Sequence, residues 1–300
     1  MLDESDYLDD IPAKSRRQRV FAVLPTLLTL GNAVCGFGAI TITARVGPEN
    51  FAGNELFLAA QLIFLAMLFD ALDGSAARLT KQTSDFGAQL DSLCDAVSFG
   101  VAPAFLMLKL THPDHLLMDT IARTPFNYPT RILWGIAVLF MVCAILRLAR
   151  FNAETEDDDS HETFSGLPSP AAAGVVAAFP VGVHGFKNLL TRETAAWAAD
   201  LSDRILPWLS VMLPVITLGA AVLMVSRIRY PHVLNQAVRG QKNRMHVLQI
   251  VFLLILVFVV REMAVPVLFC WFAFAAPCRS LWRRFEHWRL GTLPRSESHS

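Results

Sequence analysis

Four aspartates occur at regular spacing in a stretch that is otherwise apolar. They are Asp70, Asp73, Asp91 and Asp95, and they lie within FDALDGSAARLTKQTSDFGAQLDSLCD, residues 69–95. Carboxylates are hard oxygen ligands, which suit Mg²⁺ or Mn²⁺ better than zinc when no His or Cys is clustered with them. Four acids brought together at low dielectric repel one another unless cations lie between them. The spacing therefore predicts a site at which a pair of metal ions could hold a phosphate-containing substrate.

Helical geometry predicts how these residues converge. Residues three or four apart share one face of an α-helix. One face would carry Asp70, Asp73, Gly74 and Ala77, and a second would carry Gly87, Asp91 and Asp95. If the two helices are antiparallel and joined by a polar turn near 80–84, the four carboxylates meet, and the small residues let a ligand approach the backbone.

The alternative to a functional cluster is a pair of solvated helix ends. In that case the acids would only cap the helices or interact with Arg78 and Lys81. Acidic residues near membrane depth are costly and are usually functional, so the metal site is the favoured interpretation.

The rest of the chain must supply the elements that position this cluster, and its composition is that of a membrane protein. Of 300 residues, 54% are hydrophobic, and the mean hydropathy is +0.43, which exceeds the balance of a typical soluble domain. Neither the net charge of zero nor the pattern of basic residues indicates nucleic-acid binding. The five cysteines show no CxxC spacing, which favours packed, reduced thiols.

Eight apolar stretches predict an all-α, polytopic fold with about eight transmembrane helices. Each is close to the roughly 20 residues that a bilayer crossing needs, and the two shortest could instead form a re-entrant pair. The stretches are about 21–44, 55–79, 86–110, 132–152, 169–190, 205–226, 245–262 and 264–279.

The distribution of Lys and Arg predicts the orientation of these spans. With the N-terminus inside, 18 of the 26 basic residues fall in inside segments, and cytoplasmic loops are the ones enriched in Lys and Arg. The aspartate cluster is then expected to face the cytoplasm.

The aspartate spacing also carries a family resemblance. Asp70-x2-Asp73-Gly74-x2-Ala77-Arg78-x8-Gly87-x3-Asp91-x3-Asp95 resembles the signature of the CDP-alcohol phosphotransferase family. The resemblance implies a six-helix core in an integral membrane enzyme that uses a CDP-linked lipid, needs a divalent metal and releases CMP. It also implies a homodimer.

The same resemblance implies roles for the signature residues. Asp70, Asp73 and Asp91 would be metal ligands, and Asp95 would accept the proton of the acceptor hydroxyl and could also touch a metal. The remaining positions would lie near the CDP nucleotide, and they are Gly74, Ala77, Arg78 and Gly87.

Further stretches resemble one branch of this family, the bacterial membrane-embedded phosphatidylserine synthases. They are LPTLLTLGNAVCGFGAI (24–40), RLARFN (147–152), FSGLPSPAAAG (164–174) and SRIRYP (226–231). The resemblance implies transfer of the phosphatidyl group from CDP-diacylglycerol to the hydroxyl of L-serine in a bacterial inner membrane.

Two groups of polar residues in these stretches have open interpretations. Arg147, Arg150 and Asn152 are candidates for binding the serine carboxylate, because Arg suits carboxylates and phosphates, but an ordinary basic anchor at the membrane face is the alternative. Thr29 and Asn32 could line the nucleotide site, while helix packing through small residues is the alternative.

These observations give a predicted domain organisation. It consists of an N-terminal cytoplasmic tail (1–19), a catalytic core (20–231), two additional membrane helices (232–280) and a basic cytoplasmic tail (281–300).

Three rival functions have distinguishable signatures. A sibling enzyme that uses glycerol phosphate or inositol phosphate would need more basic residues at the site, and one that uses choline would favour an aromatic cage. A membrane prenyltransferase would lack the Asp-Gly-x2-Ala-Arg core. A metal or ion transporter would carry its acids nearer the middle of the bilayer.

Overall fold

The protein was analysed as a computed structural model, which describes residues 16–47, 54–80, 85–111, 128–157, 166–192, 196–226, 228 and 264–289. Every regular element in these ranges is helical, which confirms the all-α prediction. The helices are α1 (Arg16–Arg45), α2 (Asn54–Thr80), α3 (Asp85–Asp95), a π-helical segment (Ala96–Val101), α4 (Ala102–Thr111), α5 (Thr130–Asp157), α6 (Ser169–Arg192), α7 (Ala196–Val225) and α8 (Ala264–Arg289).

Five stretches of the described chain are long and apolar enough to cross a membrane. They are Pro25–Arg45, Asn54–Ala76, Phe86–Thr111, Thr130–Ala153 and Ser169–Phe186. Shorter apolar stretches in α7 and α8 coincide with the sixth and eighth predicted spans. The seventh predicted span, 245–262, lies outside the described residues. The chain is therefore an integral, polytopic membrane protein.

Two predicted boundaries fall inside helices. Helix α1 begins at Arg16, within the predicted N-terminal tail, and α8 continues to Arg289, beyond the predicted start of the C-terminal tail. All five cysteine thiols are free, and Cys35, Cys94 and Cys143 are buried.

The third span contains a local irregularity directly after Asp95. The backbone N–H of Ala102 donates to the carbonyl of Val97, five residues back, which is the π-helical pattern. Pro103 follows and has no N–H, so it cannot form the ordinary bond to the carbonyl four residues back. The missing donor at Pro103 gives a physical reason for the irregular turn, which lies between the aspartates and the rest of the span.

Small residues let the helices of the core approach closely. Helix α1 packs most extensively on α2, while α5 packs on α7 and α6 packs on α2, α7 and α8. Buried alanines occupy the contact faces of α2 and α6: Ala59, Ala60, Ala66, Ala172, Ala173, Ala177 and Ala178. Membrane helices associate largely through such close packing, because lipid supplies no hydrophobic driving force.

The connection before α6 is held by backbone hydrogen bonds to the end of α7. The N–H of Gly166 donates to the carbonyl of Ile228 at 2.9 Å, and the N–H of Leu167 donates to Leu223 at 3.0 Å. Gly166 has φ = 92°, which side-chain-bearing residues rarely adopt. This glycine thus joins two of the stretches, 164–174 and 226–231, that the sequence singled out separately.

Candidate active site and metal centre

Three of the four signature aspartates meet at one end of the bundle. Carboxylate oxygens of Asp70, Asp91 and Asp95 all lie within 4.8 Å of one another. Asp70 comes from the last turns of α2, whereas Asp91 and Asp95 lie one turn apart on α3. The spacing of four residues places both α3 carboxylates on one face, as the sequence predicted. One metal ion could be held among the three.

Asp73 lies beside this group and is more deeply buried than its neighbour on α2. Its side chain is 5% exposed, and its Oδ2 atom has no hydrogen-bond partner among the described residues. The Thr29 hydroxyl lies against Asp73 and donates to the carbonyl of Pro25 in its own helix at 3.0 Å. The structure thus places Thr29 at the aspartate cluster.

Asp95 is held by a hydrogen bond from α1. The amide Nδ2 of Asn32 donates to Asp95 Oδ1 at 2.8 Å, and both side chains are buried. The hydroxyl of Ser98, in the π-helical segment, donates to the backbone carbonyl of Asn32 at 2.9 Å. The Asn32 side chain therefore points at the aspartate cluster, and its amide nitrogen contacts a carboxylate oxygen.

The two arginines predicted to share a face differ in position. Arg147 is partly buried beside Asp95, and its Nη1 donates to Ser169 Oγ at 3.3 Å. Its Nε atom is buried and has no hydrogen-bond partner in the described chain. Arg150 is exposed. The structure thus places Arg147 within electrostatic reach of Asp95.

Asn152 occupies a neighbouring position at the end of α5. Its Nδ2 atom donates to Ser92 Oγ at 2.8 Å, and Ser92 directly follows Asp91 in the chain. This bond ties the end of α5 to the aspartate-bearing helix.

Open space surrounds Gly74, which directly follows Asp73 in the chain. A Cβ atom added to Gly74 would meet nothing within 4 Å, and Gly87 is half-buried near the start of α3. Ala77 and Arg78 lie in the last turn of α2, and their side chains are outside the described part of the structure.

The donor set fits a hard divalent cation. Among the residues that the structure describes, it consists of carboxylate oxygens without an imidazole ligand, as Mg²⁺ and Mn²⁺ prefer. Buried oxygens of Asp73 and Asp91 lack hydrogen-bond partners in the described residues, and a buried oxygen left unpartnered is costly. A cation would satisfy these oxygens and remove the repulsion among the carboxylates.

Comparison with known families agrees with this geometry. A family model described as CDP-alcohol phosphatidyltransferase matches residues 22–216, which cover about two thirds of the chain. The chain belongs to this family. The match runs from α1 into α7 and includes all four aspartates, Asn32 and Arg147. Helix α8 lies beyond it.

Individual relatives within the family carry related names. The chain is 34% identical over 164 residues to the CDP-diacylglycerol–serine O-phosphatidyltransferase of Mycobacterium tuberculosis, covering 53% of this chain and 49% of that protein. It is 35% identical over 215 residues to the archaetidylserine synthase of Methanothermobacter thermautotrophicus, covering 71% of each. A Helicobacter pylori protein with the same name as the mycobacterial one is 34% identical over 178 residues, covering 59% and 62%. The chain matches about half the length of the mycobacterial relative.

Sequence reasoning missed the serines that support the site of this family member. Ser92 bonds to Asn152, Ser98 bonds to α1, and Ser169 bonds to Arg147. A partial signal was present, because Ser98 lies three residues after Asp95 and so shares its face on a helix. Ser169 lies within the stretch FSGLPSPAAAG, but nothing in the sequence paired it with α5.

Proposed function

We propose that this protein is a phosphatidylserine synthase, which transfers the phosphatidyl group of CDP-diacylglycerol to the hydroxyl of L-serine and releases CMP. The observation that carries the proposal is the meeting of Asp70, Asp91 and Asp95 with Arg147 beside Asp95. Relatives named as serine-specific synthases support the choice of acceptor, and one of them matches 71% of this chain.

Arg147 is the described residue best placed to bind an acidic acceptor. Its Nη1 atom is occupied by Ser169, while its buried Nε atom has no partner in the described chain. A guanidinium binds carboxylates with directed N–H donors. The serine carboxylate on Arg147 would bring the serine hydroxyl towards Asp95. Arg150 and Asn152 would then lie at the edge of the serine site, while Arg147 would bind the carboxylate.

In the proposed reaction the serine oxygen bonds to the lipid-side phosphorus of the diphosphate. The bond from that phosphorus to the bridging oxygen breaks, and the electron pair leaves with CMP. Asp95 accepts the serine proton, which requires its carboxylate to lie within hydrogen-bond distance of the hydroxyl. Gly74, Ala77, Arg78 and Gly87 would surround the nucleotide, and Thr29 would border it next to Asp73.

Mg²⁺ or Mn²⁺, held as a pair by Asp70, Asp73, Asp91 and Asp95, would neutralise the diphosphate and stabilise the leaving CMP. Two ions are proposed because four neighbouring carboxylates carry more negative charge than one divalent ion neutralises.

The proposed site faces the cytoplasm of a bacterial inner membrane. The excess of Lys and Arg in the predicted inside segments supports this orientation. On the basis of the family resemblance, we propose that the protein forms a homodimer. We also propose the predicted division of the chain into two tails, a core at 20–231 and two additional helices.

A second candidate differs in the lipid and not in the acceptor. The archaetidylserine synthase relative matches 71% of the chain, so the donor could carry an archaeol moiety in place of diacylglycerol. Both candidates share serine and CMP, and the chemistry at the aspartates is the same.

The test follows CMP release by the purified protein in mixed micelles. CDP-diacylglycerol or CDP-archaeol is supplied with Mg²⁺ or Mn²⁺, and serine, glycerol 3-phosphate, inositol phosphate and choline are added in separate reactions. We expect CMP release that depends on serine and on metal, and that is faster with CDP-diacylglycerol. Preference for another acceptor would overturn the serine assignment, and preference for CDP-archaeol would establish the second candidate.

A further inference from the structure

We infer that Asn32 is a positioning residue for Asp95, rather than a ligand of the nucleotide. This inference rests on the proposed function, in which Asp95 accepts the proton of the acceptor hydroxyl. Asn32 is fully buried, and its amide nitrogen in α1 donates to Asp95 Oδ1 in α3 at 2.8 Å. An ionised carboxylate can only accept hydrogen bonds, so the nitrogen end of the amide must face it.

The contact is fixed from both sides. Ser98 is also fully buried, and its hydroxyl donates to the backbone carbonyl of Asn32 at 2.9 Å. Helix α1 therefore gives a hydrogen bond to Asp95, while the π-helical segment after Asp95 gives one back to α1. Two bonds between the same short stretches define the distance and the rotation of one relative to the other.

Gly36 makes this close approach possible. It lies one turn after Asn32 on α1, and a Cβ atom added there would come to 2.7 Å from the Cα atom of Ser98. Real Cβ atoms essentially never approach that closely, so a side chain at Gly36 would force the two segments apart. The glycine, the serine and the asparagine thus form one unit.

The amide oxygen of Asn32 argues against a role in helix packing alone. Its Oδ1 atom is buried and has no partner among the described residues, and an unpartnered buried oxygen is unfavourable. An apolar side chain of similar volume would avoid that cost. Asn32 supplies a hydrogen bond from Nδ2 to Asp95, which an apolar side chain could not form.

The main test compares Asn32→Leu, which keeps similar volume, and Asn32→Asp, which keeps the shape but cannot donate when ionised. A lost supporting contact of this kind typically reduces activity 10–100-fold. We expect kcat for CMP release to fall by about that factor. KM for serine should change less than about threefold, which is on the order of the scatter in such measurements. The same bound applies to the dissociation constant for CDP-diacylglycerol, which is measured without acceptor.

The matched control is Thr41→Val on the same helix. The Thr41 hydroxyl donates to the carbonyl of Phe37 in its own helix at 2.9 Å, so this variant should keep wild-type kcat. Ser98→Ala removes the bond to the Asn32 carbonyl and should lower kcat less than Asn32→Leu does.

Three results would overturn the inference. Weaker binding of CDP-diacylglycerol at unchanged kcat would make Asn32 a nucleotide ligand. Lower thermal stability with unchanged kcat per folded molecule would make it a structural residue only. If Asn32→Leu lowered kcat by the same factor in the wild-type protein and in the Asp95→Asn variant, Asn32 would act independently of Asp95.

Failure of the proposed function would look different. If wild-type protein used another acceptor, the same variants would be compared with that acceptor, and the loss in kcat would still be expected. If wild-type protein released no CMP with any acceptor, both proposals would be overturned.

Discussion

At the scale of single residues, the four aspartates of one signature occupy different environments. Asp73 and Asp95 are nearly fully buried, whereas Asp70 and Asp91 are partly exposed. Asp95 accepts a hydrogen bond from α1, while an oxygen of Asp91 is buried without a partner in the described chain. The bond from Asn32 fixes the orientation of the Asp95 carboxylate, which suits this group to accept a proton at a defined point.

The first prediction concerns Asp95 as the proton acceptor. Asp95→Asn keeps the shape of the side chain and removes the basic oxygen, so kcat for CMP release should fall by about 10²–10⁴-fold. The control is Leu93→Ala, because Leu93 is 67% exposed and lies between the two α3 carboxylates in sequence but on another face. A variant that retains more than about a hundredth of wild-type kcat, which corresponds to the smallest loss expected for a general base, would contradict this role.

The second prediction concerns Asp70 as a metal ligand. Asp70→Asn removes one charge from the group of three carboxylates, so the Mn²⁺ concentration for half-maximal binding should rise about tenfold or more. Titration of the Mn²⁺ electron paramagnetic resonance signal measures this without turnover. Ser75→Ala is the control on α2, since that hydroxyl donates within its own helix to Ala71 at 2.7 Å. Unchanged Mn²⁺ affinity in Asp70→Asn would remove this residue from the metal site.

At the scale of elements, the site depends on how loops and irregular turns join the helices. Ser169, which contacts Arg147, is the first residue of α6. The connection before it is held by backbone bonds from Gly166 and Leu167 to the end of α7. Arg147 is therefore positioned by a segment distant in sequence. The π-helical turn has the same function for Asp95, because it carries the Ser98 hydroxyl that binds α1.

The third prediction tests the connection before α6. Gly166 has φ = 92°, and an added Cβ atom would lie 2.5 Å from the carbonyl oxygen of Met224. Gly166→Ala should therefore lower stability by about 1–3 kcal/mol, the usual cost of a strained backbone position. Thermal unfolding in detergent measures the change.

The matched control for this variant is Gly135→Ala. Gly135 lies in α5, where an added Cβ atom would meet nothing within 4 Å, so alanine should leave the unfolding temperature unchanged or raise it. If both variants unfolded at the wild-type temperature, the tight connection would have no role in stability.

At the scale of the whole molecule, α8 extends the bundle beyond the region shared with the family. The family match ends at residue 216, and α8 begins at Ala264. Its close contact with α6 requires glycine, since a Cβ atom added to Gly182 would lie 2.5 Å from Pro266 Cγ. The additional helix is thus packed tightly against a core helix.

The fourth prediction tests the orientation of the molecule through Cys278. This residue is the exposed one of the five free cysteines and lies beside Arg279, at the end of the apolar stretch Ala264–Arg279 in α8. If α8 ends in the cytoplasm, a membrane-impermeant maleimide should label inverted vesicles and leave intact spheroplasts unlabelled.

Cys278→Ser provides the control for background labelling at the buried cysteines. Labelling of intact spheroplasts at Cys278 would place this part of α8 on the outer face and contradict the proposed orientation of the eight spans.

The amino-acid sequence by itself determined the class of fold and the helix face that carries Asp91 and Asp95. Apolar stretches of about 20 residues indicate membrane helices, because a helix of that length crosses the bilayer and satisfies its backbone hydrogen bonds internally. The spacing of Asp91 and Asp95 placed both on one face because a helix repeats every 3.6 residues. These are local consequences of the chain, so they could be predicted without knowing which helices pack together.

Only the tertiary structure decided which side chains complete the site. Asn32 and Asp95 are 63 residues apart in the chain, and Arg147 and Ser169 are 22 apart. Their contacts depend on the packing of α1 on the third span and of α5 near the start of α6. Such contacts follow from the shape of the packed helices, which small residues and one positive-φ glycine permit, and no local periodicity encodes them.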